Sequence, residues 1–235
     1  WWDEIVKKLP IGGLIILDLG FFNFTYFDQL TEENKFFLTR LKAKTNYQVK
    51  RVLSQGTYYK DEIIKMGNYR SNPCKHPVRL VSVLWGKTWY YYITNVLDYE
   101  QLSPQEVCEL YRRRWRVEDA FLLTKRLLGL AYLWVGHSNG VQIQLVATLI
   151  FYTILNQLVA EVAIILNEPK EKISVEMVFR SLYYVALAVD RGENPDAAIY
   201  LAQRAKLFGL VKASRKRHRE REQISQQIWD AIPLS

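Results

Sequence analysis

Four side chains between residues 111 and 125 stand at a spacing that could do chemistry: Tyr111, Arg114, Glu118 and Lys125, or Tyr-x2-Arg-x3-Glu-x6-Lys. Read as one helix over 104 to 128, the stretch points all four to the side that carries Val107, Leu110, Val117, Phe121 and Leu128. Glu109, Arg112, Arg113, Arg116, Asp119 and Arg126 fall on the opposite, solvated side. Charges turned toward a core cost several kcal/mol per ion unless they are fully paired. Two readings are open. The charges can be partly buried ion pairs, since Arg114 and Glu118 have the i,i+4 spacing of one. Alternatively the face lies in an open cleft, where Arg, Lys and Tyr around one Glu suit a phosphate backbone and a metal ion.

A second carboxylate of interest is Asp18. In GLIILDLGFFNF, residues 13 to 24, four apolar residues precede it and Gly20 follows. Such a run predicts a strand buried on both faces. Asp18 then sits at the strand's C-terminal end, where open α/β sheets present their ligands.

The elements that must position these groups follow from pattern. TYFDQLTEEN predicts a short helix and KFFLTRLK, residues 35 to 42, a second strand. From Ala43 to about Glu100, alternating and β-branched segments are punctuated by Gly56, Gly67, Pro73, Pro77 and Gly86, which predicts several short strands joined by turns. SPQE, residues 103 to 106, is a capping box with Ser103 at N-cap, Pro104 at N1 and Glu106 at N3. Gly129 supplies the stop, giving a helix of about 37 Å. Further helices are expected at about 138 to 167, 171 to 190, 195 to 208 and 219 to 231. The resulting organisation is 1–42, 43–100 (β-rich), 101–167 (helices with the four-residue set) and 168–235 (helical).

Composition narrows the partners. The 235 residues carry a formal net charge of +8, and the pI is about 9.3. A basic balance favours a polyanion, nucleic acid or an anionic membrane surface. Charged residues make up 24%, a globular value, so disorder is excluded as the general state. Cys74 and Cys108 lack C-x-x-C spacing and the three His are scattered, which argues against a disulfide framework or a zinc ribbon. The chain opens WWDEIVKKLP with no recognisable signal peptide, and reads as a fragment of a longer protein. The most apolar segment, Leu145 to Leu155, is shorter than the roughly 20 residues of a membrane span, so it reads as a buried helix and no membrane association is expected. Trp85, Trp89 and Tyr90 to Tyr92 could stack on a displaced base or pack across strands. Arg215, Lys216, Arg217 and Arg219 could track phosphates or simply be solvated.

The spacing of Tyr111, Arg114, Glu118 and Lys125 resembles the signature of DDE transposases of the insertion sequence four family. ELYRRRWRVEDAF resembles that family's motif around its catalytic Glu, LDLGFF the segment around its second catalytic Asp, and FFLTRLK the strand that follows. The resemblance covers most of residues 10 to 160. It implies an α/β fold with an RNase H-like core, incomplete at its N-terminus, a β-rich insertion between the two carboxylates and a helical C-terminal region. It implies Asp18 and Glu118 as catalytic metal ligands and Tyr111, Arg114 and Lys125 as DNA-binding residues. Mg²⁺ or Mn²⁺ is the implied cofactor, in a two-metal site of the full-length protein. Hard cations of this kind take carboxylate oxygens. The implied partners are double-stranded DNA, as transposon ends and target, and a second copy in a synaptic complex. The implied place is the bacterial cytoplasm, with the nucleoid. The family's first Asp has no counterpart before Asp18, because Asp3 and Glu4 lie too close to it and follow no apolar strand. The expectation is therefore a truncated transposase, inactive alone, or a remnant that binds DNA without catalysis.

Overall fold

The computed structural model describes residues 2–69 and 71–212. The helix expected at 219 to 231 and the basic run from Arg215 to Arg219 lie outside the described residues. The chain divides into two compact units, one running to Trp115 and one beginning at Arg116.

The first unit is built on a six-stranded sheet. In chain order its elements are α1 (Trp2–Lys8), β1 (Leu14–Ile16), a 3₁₀ turn (Leu19–Phe21), α2 (Phe24–Glu32), β2 (Phe36–Arg40), β3 (Tyr47–Gln55), β4 (Tyr59–Met66), β5 (Val78–Trp85), β6 (Thr88–Thr94) and α3 (Pro104–Arg113). The sheet order is β1-β2-β6-β5-β4-β3, parallel only between β1 and β2. The strands expected between 43 and 100 thus form no sheet of their own. β6 pairs with β2, placing Leu38 opposite Thr94, and carries the sheet onward from the β1–β2 pair.

Side-chain alternation gives the sheet two covered faces. Val78 and Leu80 of β5 pack with Phe24, Phe27 and Leu30 of α2 and with Trp2 and Val6 of α1. Val81 and Val83 pack on the other side with Val107, Cys108 and Tyr111 of α3. β5 is accordingly buried almost throughout. Asn95, which follows β6, is a polar clip in this core. Its Oδ1 accepts from the Phe37 amide at 2.9 Å, while its Nδ2 donates to the Lys35 carbonyl at 2.8 Å and to Thr31 Oγ1 at 3.0 Å.

β1 departs from expectation. Ile15 meets the α1–α2 cluster while Leu14 and Ile16 meet the α3 cluster, yet all three are only half-buried. Among the described residues β1 is an edge strand, so its apolar run lacks a neighbour on one side. The other edge, β3, is interrupted by register shifts between Val49 and Arg51 and between Val52 and Ser54.

The single helix expected from 104 to 128 is two helices. α3 begins with the full capping box at Ser103 and Glu106 and ends at Arg113, and α4 runs Trp115–Arg126. The Arg114 amide bonds to the Tyr111 carbonyl at 3.1 Å, a tight i→i−3 contact in place of an α-helical one.

The second unit contains most of α4, then α5 (Ser138–Ile165), a 3₁₀ turn (Lys170–Lys172), α6 (Val175–Asp190) and α7 (Ala197–Gln203). Leu155, Val159 and Val162 of α5 form its core with Val178 of α6, Leu201 of α7 and the following Phe208 and Leu210. α5 corrects a second expectation. It is long and apolar enough to cross a bilayer by length and composition. The segment Leu145–Leu155 within it was read as buried, but Leu145, Val146, Leu149, Ile150, Phe151 and Ile154 are exposed. Among the described residues the unit's buried cluster draws on α5 from Leu155 onward, with Phe151 just before it edge-on to Phe179 of α6.

Candidate active site

Asp18 stands directly after β1, where the Leu17 amide still bonds to the Leu38 carbonyl at 2.8 Å and so prolongs the parallel pairing. The Asp18 carbonyl accepts from the Phe21 amide and starts the 3₁₀ turn, which leaves the carboxylate outside the sheet. That carboxylate is 54% exposed, and Oδ1 faces Arg114 Nη1 at 3.4 Å. Arg114 itself is 15% exposed. Its guanidinium lies over the ring of Tyr111 at 5.6 Å and over that of Trp115 at 5.2 Å. Cation–π contact and partial burial fix a side chain that in water would be mobile.

Tyr111 is buried at the end of α3, its ring 5.2 Å from that of Tyr92 on β6. Burial raises its phenol above the ordinary range; Arg114 opposes that shift and the Asp18 charge adds to it. The hydroxyl therefore stays neutral at physiological pH and can donate to an anion. Three of the five expected site residues are thus brought together in the first unit, from a strand end and a helix end. Glu118 and Lys125 lie on α4 in the second unit, two turns apart on one face and both exposed.

Beside Tyr111 the first unit has a cavity of about 280 Å³. Trp85, Tyr90 and Tyr92 of the hairpin line it with Cys108, Tyr111 and Trp115, and Arg40 and Arg112 stand at its wall. Arg40 covers Tyr90 at 5.7 Å. In the direct register of the β5–β6 hairpin Tyr90 opposes Val83, Tyr91 opposes Ser82 and Tyr92 opposes Val81, while Trp85 and Tyr90 are diagonal neighbours. Arg40 and Arg112 were not singled out from sequence, and Arg112 fell on the solvated side of a continuous helical wheel. The signal that could have found Arg40 is a cation closing an otherwise apolar strand.

The donor chemistry of Asp18 and Glu118 suits a hard divalent cation, being carboxylate oxygen in exposed positions. Among the described residues no group of three or more His, Cys, Asp or Glu is close enough to hold a metal ion.

Residues 2–154 match the family described as transposase DDE domain. A Synechocystis protein named as a transposase for insertion sequence element IS4SA is 24% identical over 163 residues, covering 67% of this chain and 44% of that protein. A Sinorhizobium fredii protein named as transposase y4zB is 25% identical over 153 residues, covering 61% of this chain and 42% of that protein. The matched region spans less than half the length of these relatives. With the family match running from α1 into α5, the chain belongs to the transposase DDE domain family.

Proposed function

We propose that this chain is part of a transposase of the insertion sequence four family, acting on double-stranded DNA by metal-dependent strand cleavage and transfer. The observation that carries the reading is the meeting of Asp18 with Arg114 and Tyr111. It supports the reading because Asp18 lies beside two of the four residues of the proposed signature, although they are far apart in sequence. In this reading the sheet around β1 and β2 is the RNase H-like part, residues 43–100 are the insertion, and 168–235 is the helical region.

Asp18 and Glu118 would hold Mg²⁺ or Mn²⁺, which when bound supplies an activated oxygen nucleophile and a stabilised leaving oxygen. Arg114 offers a planar fork to a phosphate and is already oriented by two rings. Tyr111 adds a neutral donor and Lys125 a point charge. The proposed setting is a homodimer holding transposon ends in a bacterial cytoplasm, with no membrane involved. These residues supply two carboxylates of the family's three, so the 235-residue polypeptide by itself is expected not to cut DNA. A second reading is a module that binds duplex DNA without catalysis. It is favoured by the Asp18–Arg114 pair, in which the protein's own cation occupies the carboxylate.

The test is duplex binding by fluorescence anisotropy at two salt concentrations, with a parallel cleavage assay in Mg²⁺ and Mn²⁺. Arg114→Ala and Lys125→Ala should each weaken binding about tenfold and lower the salt slope by about one. Wild-type binding with no cleavage is the expected result. Unchanged affinity in both variants would sink the DNA-contact reading. Robust cleavage by the wild-type polypeptide would sink the incomplete site.

A further inference from the structure

β5 reads VRLVSVLW, a run of buried positions with one cation in it. Arg79 is fully buried, and Asp61 of β4 is 1% exposed. The two form a bidentate pair, Nε to Oδ1 at 2.7 Å and Nη2 to Oδ2 at 2.6 Å. The remaining nitrogen, Nη1, points away from Asp61 into the loop before α3. It donates to the Leu102 carbonyl at 2.6 Å and to the Asp98 carbonyl at 3.3 Å.

A buried ion pair is a weak source of stability, because apolar residues of equal volume often do as well or better. What apolar residues cannot do is hold a backbone carbonyl. Leu102 directly precedes Ser103, the N-cap of α3. α3 is a ten-residue rod, about 15 Å long, fixed at one end by this contact. At its other end Tyr111 packs on Tyr92, and Arg114 reaches Asp18. A shift at the first end moves the second.

We infer that Arg79, oriented by Asp61, is a positioning residue that sets the register of α3, and through it places Tyr111 and Arg114 against Asp18. The insertion strands β4 and β5 would then hold the signature helix in place. The DNA consequence rests on the proposed role of Arg114; the placement of α3 does not.

The experiment uses the whole chain and two variants. Arg79→Met with Asp61→Leu removes both charges together, so no unpaired charge stays in the core while the Leu102 and Asp98 carbonyls lose their donor. Arg79→Lys keeps a partner for Asp61, but one ammonium cannot serve Asp61 and both loop carbonyls in that geometry. Hydrogen exchange of the α3 amides and duplex affinity are measured for both, beside Arg114→Ala. Expected are α3 amides exchanging about tenfold faster with β5 and β6 protection intact, and duplex affinity falling toward that of Arg114→Ala. Wild-type exchange at α3 in either folded variant overturns the proposal. If Arg114→Ala binds duplex like wild type, the DNA reading fails on its own, and α3 exchange alone decides the positioning claim. Should the double variant not fold, Arg79→Lys decides it.

Discussion

Burial pushes the thiols of Cys74 and Cys108 up to about 12, with the nearby charges of Asp28 and Asp61 adding to the respective shifts. Only the thiolate is a competent nucleophile, so a shift in this direction disfavours nucleophilic chemistry at either thiol, including Cys108 at the aromatic cavity. Ellman's reagent at pH 8 should label neither thiol in the native protein and both after denaturation. Rapid native labelling would show that one of these sites is open. The types and spacing of Tyr111, Arg114, Glu118 and Lys125 were legible in the sequence because residue spacing is a local pattern. The pairing of Arg114 with Asp18 was not read from the sequence, where spacing offered Glu118 as its partner, because contacts between distant segments are made by the fold. Arg79 and Asp61 were missed although their signal was present: a lone cation inside an apolar strand run must find a buried partner.

At the scale of elements, the best-read feature was the start of α3. Ser103 Oγ accepts from the Glu106 amide at 3.3 Å, and the Ser103 amide bonds back to Glu106 at 2.8 Å, as the SPQE pattern implied. Ser103→Ala should cost about 1 kcal/mol in urea unfolding. A neutral result would mean that the Arg79 contact at Leu102 already fixes the helix start. The end of that helix was misread because a wheel assumes constant phase. Leu110 and Val117 sit on one stripe only if the helix continues through Arg114, and it stops there. β1 was read as buried on both faces because an apolar run reports what a strand could bury, whereas its pairing is settled by neighbours far away in the chain. The helices at 175–190 and 197–203 fell within the expected segments, where caps at Ser174 and Asp196 mark their starts.

For the whole molecule, the basic charge suits the proposed DNA partner, yet a conspicuous surface among the described residues is uncharged. From Ser138 to Ala160, α5 has no Asp, Glu, Lys or Arg, and Ile143, Ile150 and Ile154 are each more than half exposed. Apolar patches of this kind bind hydrophobic probes. The native protein should enhance ANS fluorescence, and Ile143→Lys with Ile150→Lys should cut that signal at least about twofold. An unaltered signal would locate the dye elsewhere. The two ends of the sheet differ in a way that bears on how copies can add to one another. β3 carries two register shifts together with Lys50 and Arg51, devices that spoil a strand edge as a template. β1, three residues of Leu and Ile, has none of them. A fibre needs two receptive edges per molecule, one to receive and one to offer. Among the described residues, the shifted and charged β3 edge is therefore a poor end for backbone-to-backbone addition, which denies such growth one of the two ends it needs.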